Sequence, residues 1–337
     1  MKLNIVVNMA VEPQQLERLR ALPGANVTVL PECQDAYELP EELAADTHIL
    51  FCTFAPTNLP AMSSLQWIQI GSAGYSQLLP LGLPARGVRA CNALGVFDTA
   101  IAEWNVAMMI NLARDLRGMI RHQEAGIWDR SARFQREIRG SVAGIWGYGG
   151  IGRETARLLK LMGIRVHVLV RESVKRRVAQ YVVPGAGDPD GTLPDRVYTA
   201  GEETEFLGGL DFLIMALPIT PRTQGIVGER ELAALKPHAY VLNPARGPLI
   251  REEALLAALR EQRIAGAALD THYHYPMPAD HPLWRFPNVI MTPHISGSSL
   301  SPFFLTRVWD VFVGNVERHL QGQPLLNELS TAQLQGE

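Results

Sequence analysis

The chain has 337 residues, 47% of them hydrophobic and 19% charged, with a formal net charge of −3. That length exceeds what one hydrophobic core usually serves, so two domains are expected, and the nearly balanced charge gives no electrostatic reason to expect nucleic acid or an acidic membrane as a partner. Cys33, Cys52 and Cys91 are widely spaced and form no CxxC, which argues against a disulfide framework or a zinc site, and no apolar run is long enough for a membrane span.

Strand-like and helix-like patterns alternate along the chain, the signature of βαβ units and hence of an α/β fold with parallel sheets. Leu3–Val7 reads as a strand rather than a leader, which suggests a cytoplasmic protein. A helical pattern at Gln14–Leu22 and a strand at Asn26–Leu30 complete the first unit, and short apolar runs follow at His48–Phe51 and Leu65–Ile70. Asp98 is a natural N-cap for a long apolar helix over Thr99–Arg117. A strand at Ser141–Trp146 opens a second α/β unit. Further strands are expected at Arg165–Val170, Leu210–Ala216, Ala239–Leu242, Gly266–Asp270 and Val289–Met291, with helices at Arg153–Met162 and Glu252–Arg260 between them. The Pro-, Gly- and Asp-rich stretch Val182–Asp195 reads as an exposed loop, and Ser301-Pro302 as the start of a helix over Phe303–Leu320.

Gly147-Tyr148-Gly149-Gly150-Ile151-Gly152 is a GxGxxG set between a strand and a helix, the context in which that pattern binds a dinucleotide. Gly147 permits a tight turn, Gly149 lets the backbone approach a pyrophosphate, and Gly152 lets the helix pack on the strand, while the helix N-terminus offers its amides to the phosphates. About twenty residues on, where an NAD site carries an acid for the ribose hydroxyls, stands Val170, followed by Arg171-Glu172-Ser173 and Lys175-Arg176-Arg177. Arg171, Ser173 and the basic cluster suit a 2′-phosphate, so NADP is favoured over NAD. In the competing reading the basic run is a solvated surface and Glu172 holds the ribose.

Asn243-Pro244-Ala245-Arg246-Gly247, Ala268-Leu269-Asp270 and Thr292-Pro293-His294-Ile295-Ser296-Gly297 follow in order, with Ser72-Ala73-Gly74-Tyr75 and Cys91-Asn92-Ala93-Leu94-Gly95 upstream. In these motifs the chain resembles the D-2-hydroxyacid dehydrogenases over nearly its whole length, and the stretch from Pro276 to Ser301 is similar to NAD-dependent formate dehydrogenase of the same superfamily. The resemblance implies a Rossmann-type cofactor domain, residues 95–296, inserted into a smaller flavodoxin-like substrate domain formed by 1–94 and 297–337. It implies an active site in the cleft between them, hinge helices at Thr99–Arg117 and Phe303–Leu320, and a homodimer formed through the cofactor domain. Arg246 would bind the carboxylate of a small 2-oxo or 2-hydroxy acid, His294 would be the acid–base group, and Ser72, Ala73, Gly74 and Asn92 would hold the substrate. Gly147, Gly149, Gly150, Ile151, Gly152, Arg171, Ser173, Pro218 and Asp270 would line the cofactor.

One position departs from the family. The carboxylate that normally partners the histidine would fall at Tyr275, and a neutral phenol can orient the imidazole but cannot oppose its charge. Asp270 could replace part of that charge. The expected function is reduction of glyoxylate, hydroxypyruvate or a larger 2-oxo acid. Two alternatives stand beside it: a formate-dehydrogenase-like oxidation of another small acid, and a dinucleotide-sensing module that has lost catalysis. His272 and His274 form an HxH with His281 nearby, but no further Cys or carboxylate completes a ligand set in the sequence, so no metal is expected.

Overall fold

The computed structural model describes residues 2–33, 36–131 and 135–336. It begins with β1 (Leu3–Asn8), α1 (Pro13–Arg20), β2 (Ala25–Val29), α2 (Glu41–Asp46), β3 (Ile49–Cys52), β4 (Trp67–Ile70) and β5 (Arg89–Cys91). Two helices follow, α3 (Asp98–Ala113) and α4 (Leu116–Glu124). The next elements are β6 (Val142–Trp146), α5 (Gly150–Leu161), β7 (Arg165–Leu169), β8 (Arg196–Tyr198), α6 (Glu203–Gly208), β9 (Phe212–Met215) and α7 (Glu229–Ala234). The chain ends with β10 (Tyr240–Asn243), α8 (Glu252–Arg260), β11 (Gly266–Leu269), β12 (Val289–Met291), α9 (Pro302–Leu320) and α10 (Thr331–Leu334). No helix among the described residues is long and apolar enough to cross a membrane.

The chain divides into two compact units. The first comprises Met1–Phe97, Val178–Val183 and Ser299–Glu337. Its five strands are parallel in the order β2-β1-β3-β4-β5, a flavodoxin-like sheet. Helix α9 closes one face: Phe312 stacks on Phe51 at 4.2 Å between ring centroids, and Trp309 meets the same ring edge-on. The second unit, Asp98–Arg177 with Pro184–Ser298, holds seven parallel strands in the order β12-β11-β10-β9-β6-β7-β8. This is the doubly wound Rossmann order, whose direction reverses between β6 and β9; ligands of such sheets bind at the carboxyl ends of the strands beside that reversal. Strands β6 and β9 are buried throughout, which is why they read as unbroken apolar runs without alternation.

The structure corrects several sequence expectations. The single helix over Thr99–Arg117 is two helices. Asp115 adopts a left-handed conformation (φ 45°) and its carboxylate accepts the Gly118 amide at 3.2 Å, so the short side chain caps a new helix where periodicity alone suggested continuation. Asp98 is the first residue of α3, and its carboxylate pairs with Arg177 at 3.3 Å. The second unit is not one stretch over 95–296: Val178–Val183 belongs to the first unit, where Asn327 accepts the Tyr181 amide and donates its own amide to Ala179. Nor is Val182–Asp195 exposed throughout, since Asp188 within it is buried.

Candidate active site

The turn after β6 is shaped by its glycines. Gly147 has φ 97°, and a Cβ there would stand 2.5 Å from the Ala216 carbonyl oxygen; one on Gly152 would stand 2.6 Å from the Gly147 carbonyl. Side chains at either place would push α5 away from β6 and β9. Gly149, by contrast, has no atom of the described residues within 4 Å of its would-be Cβ and caps α5 without a side-chain hydrogen bond, so the first-turn amides, with Gly150 and Ile151, remain open. An open glycine backbone over free helix amides fits a pyrophosphate.

The segment after β7 is held by a buried network. Arg153 of α5, 4% exposed, donates through Nε to the Tyr148 carbonyl at 3.1 Å and through its terminal nitrogens to the carbonyls of Asp188 and Lys175. The Asp188 carboxylate accepts the Tyr148 hydroxyl at 2.7 Å and the amides of Gly191, Thr192 and Leu193. Burial alone would raise its pKa, but these donors and the Arg153 charge outweigh it and hold the carboxyl below its usual range. The exposed Arg171 and Ser173 are presented from this segment. Glu172 lies 3.6 Å from both Arg171 and Lys175, and Arg176 pairs with Asp190. Arg177, with only 7% of its side chain exposed, is turned to Asp98, so the expected basic cluster loses one member to the interior.

The loops after β10, β11 and β12 converge. Asn243 staples its loop: its Oδ1 accepts the amides of Ala245 and Arg246, and its Nδ2 donates to the Arg246 carbonyl at 2.8 Å. Arg246 is thereby held half-buried, one guanidinium nitrogen donating to the Ala245 carbonyl. Gly247 admits the neighbouring loop, since a Cβ there would lie 2.5 Å from the His272 carbonyl. Fully buried Asp270 accepts from Thr292 Oγ1 at 2.6 Å, from the amides of Ile295 and Ser296, and from Ser296 Oγ at 2.5 Å. Both of its oxygens are occupied in fixing the loop that carries His294. His294 has φ 59°, a strained conformation for a bulky ring, and is kept there by its amide's bonds to the carbonyls of Asp270 and Thr292.

The His294 side chain reaches solvent, yet the surrounding protein strips part of its hydration. That desolvation and the nearby Arg246 charge depress its pKa; Asp270 opposes the shift and His272 adds to it. Tyr275 lies beside it with ring centroids 5.6 Å apart, while its hydroxyl accepts the His272 amide at 3.2 Å. The phenol therefore meets His294 ring against ring and spends its hydroxyl on its own loop, which corrects the expectation of a hydrogen bond orienting the imidazole. His272 points inward to the Thr292 carbonyl, with Nδ1 left without a partner among the described residues.

In the first unit, Ser72–Gly74 and Asn92 lie together at the ends of β4 and β5. Ser72 Oγ donates to the Gly74 carbonyl, Gln77 donates to Ser72 Oγ, and Asn92 Nδ2 donates to the Ala73 carbonyl at 2.7 Å. Among the described residues no protein acceptor takes the amide hydrogens of Ala73 or Gly74.

Residues 106–296 match the family model described as D-isomer specific 2-hydroxyacid dehydrogenase, NAD binding domain. The chain belongs to the D-isomer specific 2-hydroxyacid dehydrogenase family. A glyoxylate reductase of Thermofilum pendens is 28% identical over 83% of this chain and 84% of its own. A glyoxylate/hydroxypyruvate reductase B of Enterobacter agglomerans is 30% identical over 68% of this chain and 67% of its own. Among solved structures, a family protein from Aeromonas salmonicida superposes with TM-score 0.76 at 27% identity, covering 98% of this chain and 99% of that one.

This dehydrogenase is thus an NAD(P)-dependent oxidoreductase acting on small 2-hydroxy or 2-oxo acids. Several of its supporting residues carry no signal in the sequence. Arg153, Asp188 and Asn327 each act on partners tens of residues away, and only Asn243 stood inside a motif. Pro218 follows β9, where its carbonyl accepts the Thr223 hydroxyl.

Proposed function

We propose that this dehydrogenase reduces a small 2-oxo acid of the glyoxylate or hydroxypyruvate class with NADPH. The observation that carries the reading is the pairing of Arg246 with His294, close enough that the guanidinium lowers the imidazole pKa, on loops fixed by Asn243 and Asp270. The bound nicotinamide supplies the hydride. Arg246 holds the substrate carboxylate and polarises its ketone, a task for a planar fork with two donors. His294, as imidazolium, gives its proton to the carbonyl oxygen while the carbon receives the hydride; in the reverse direction the neutral ring takes the hydroxyl proton. The names of the Thermofilum and Enterobacter relatives support the substrate class. Turnover of a panel of glyoxylate, hydroxypyruvate, larger 2-oxo acids and formate tests it. Preference for glyoxylate or hydroxypyruvate is expected, and turnover confined to formate, or none at all, defeats the reading.

NADPH is favoured because β7 ends on Leu169 and runs into Val170 without a carboxylate, and Arg171 is 81% exposed with only a long 3.6 Å contact to Glu172. Arg171→Ala should weaken NADPH binding by about tenfold or more, the worth of one charge-assisted hydrogen bond, and leave NADH nearly unchanged. Equal or tighter binding of NADH by the wild type overturns the preference.

The same unit carries the surface for a homodimer. Helix α4 buries none of its residues, and Ile110, Leu116, Ile120, Ile127 and Trp128 are all exposed, Trp128 by 89%. Ile120 also lines a groove of about 390 Å³ with Trp284 and Met291. Exposed apolar side chains gathered on and beside one helix suit burial against a partner, here a second copy. Ile120→Glu with Trp128→Glu should halve the mass measured by light scattering; a monomeric wild type would end the proposal.

A further inference from the structure

The sequence offered His272, His274 and His281 without a carboxylate to complete a ligand set. The structure separates them. The segment after β11 is a loop, so His272 turns inward to the Thr292 carbonyl while His274 faces the other way, toward His281 and Glu252 in the first turn of α8. One donor atom from each of Glu252, His274 and His281 lies within 4.8 Å of the other two. His281 Nε2 is 2.6 Å from Glu252 Oε1, and the His274 and His281 rings are 6.1 Å apart.

We propose that Glu252, His274 and His281 form a site for a divalent transition-metal ion of the Zn²⁺ class, with a fourth position open to water. Two imidazoles and a carboxylate suit Zn²⁺, Co²⁺ or Ni²⁺; Mg²⁺ and Ca²⁺ prefer all-oxygen sets. Ligand atoms around a tetrahedral zinc at about 2.0–2.1 Å stand about 3.3 Å from each other, so closing the present triangle needs a movement of about an ångström or more. His274 is exposed and can supply it by rotating its side chain. His281 is nearly buried, and Glu252 is anchored by the helix it begins. The ion would take the place of the hydrogen now between Nε2 and Oε1. His281 would then carry its proton on Nδ1 and give up the long 3.3 Å contact from the Leu283 amide. Because His274 directly precedes Tyr275, a bound ion would tie the loop beside His294 to α8.

The test uses the full-length protein, stripped with a chelator and then titrated with Zn²⁺ against a chromophoric competitor, and in parallel with Co²⁺ read by its visible absorption. One equivalent should bind in the micromolar range or tighter, raise Tm, and outcompete Mg²⁺ by at least about 100-fold. His274→Ala, at an exposed position, and Glu252→Gln should each weaken binding about tenfold or more and abolish the Tm gain. Absence of stoichiometric binding, equal competition by Mg²⁺, or Zn²⁺ binding that His274→Ala leaves unchanged overturns the proposal. The last result would mean an adventitious ion only. None of these readouts depends on turnover, so the outcome is independent of the substrate reading.

Discussion

His294→Asn and Arg246→Ala should each cut reduction of a 2-oxo acid by about 10²–10⁴-fold, the usual worth of a positioned acid–base group, while dinucleotide binding stays within a few-fold of wild type. Asn is the cleaner replacement for His294. The position has φ 59°, which Asn tolerates better than most residues, so loss of activity then reports the missing imidazole rather than a relaxed backbone. Arg246→Lys separates charge from geometry: the ammonium keeps the attraction for a carboxylate but not the two-pronged donor, and should recover only a small part of the loss. Dinucleotide binding followed by fluorescence supplies the control. Near wild-type turnover in His294→Asn would show that proton transfer runs through another group.

The fold was readable where local chemistry and global packing coincide. Buried parallel strands must be apolar on both faces, so β6, β9 and β10 announce themselves. The turn after β6 needs Gly at two places where a Cβ would collide with backbone. What escaped was governed by single polar side chains acting at a distance. Asp115 breaks a helix that periodicity continues, and Arg153 reaches 35 residues along the chain to the Asp188 carbonyl, converting a Pro/Gly-rich stretch from free loop into anchored structure. Short elements such as α2, α6 and β8 are too brief for any period to show. The region of His294 illustrates both sides. The motifs named Arg246, His294 and Tyr275, and the structure places these three near one another, but no pattern could tell that the Tyr275 hydroxyl would turn to the His272 amide. Nor could it reveal that His274, the second histidine of the HxH, would turn to Glu252 far back in the sequence, since loop direction decides both.

Two substitutions should move the pH profile of reduction in opposite directions. The His294 pKa is already depressed, chiefly by desolvation and then by Arg246, so the neutral ring is favoured. In the proposed reaction, reduction consumes the imidazolium, so its catalytic efficiency should fall away at a pH below the ordinary imidazole value of about 6.5. Among the described residues, Asp270 is the carboxylate that opposes the depression. Asp270→Asn removes that charge and should drive the falling limb lower still. It should also destabilise the fold by about 1.5–3 kcal/mol or more, because a buried carboxylate with four donors, two on each oxygen, is replaced by an amide whose NH₂ faces two of them. Tyr275→Glu places a carboxylate beside the imidazole and should raise the limb. A rise of one in pH corresponds to about 1.4 kcal/mol in favour of the charged ring. Because Tyr275 is 60% exposed, solvent screens the new charge, and the limb should climb by no more than about one on the pH scale and by less as salt is added. Tyr275→Phe keeps the ring contact and loses only the bond to the His272 amide, so its limb should stay in place. Profiles of kcat/KM for the wild type and the three variants, read with a thermal denaturation curve for each, decide the matter. A limb that responds to neither Asp270→Asn nor Tyr275→Glu would mean that the group titrating in reduction is not His294.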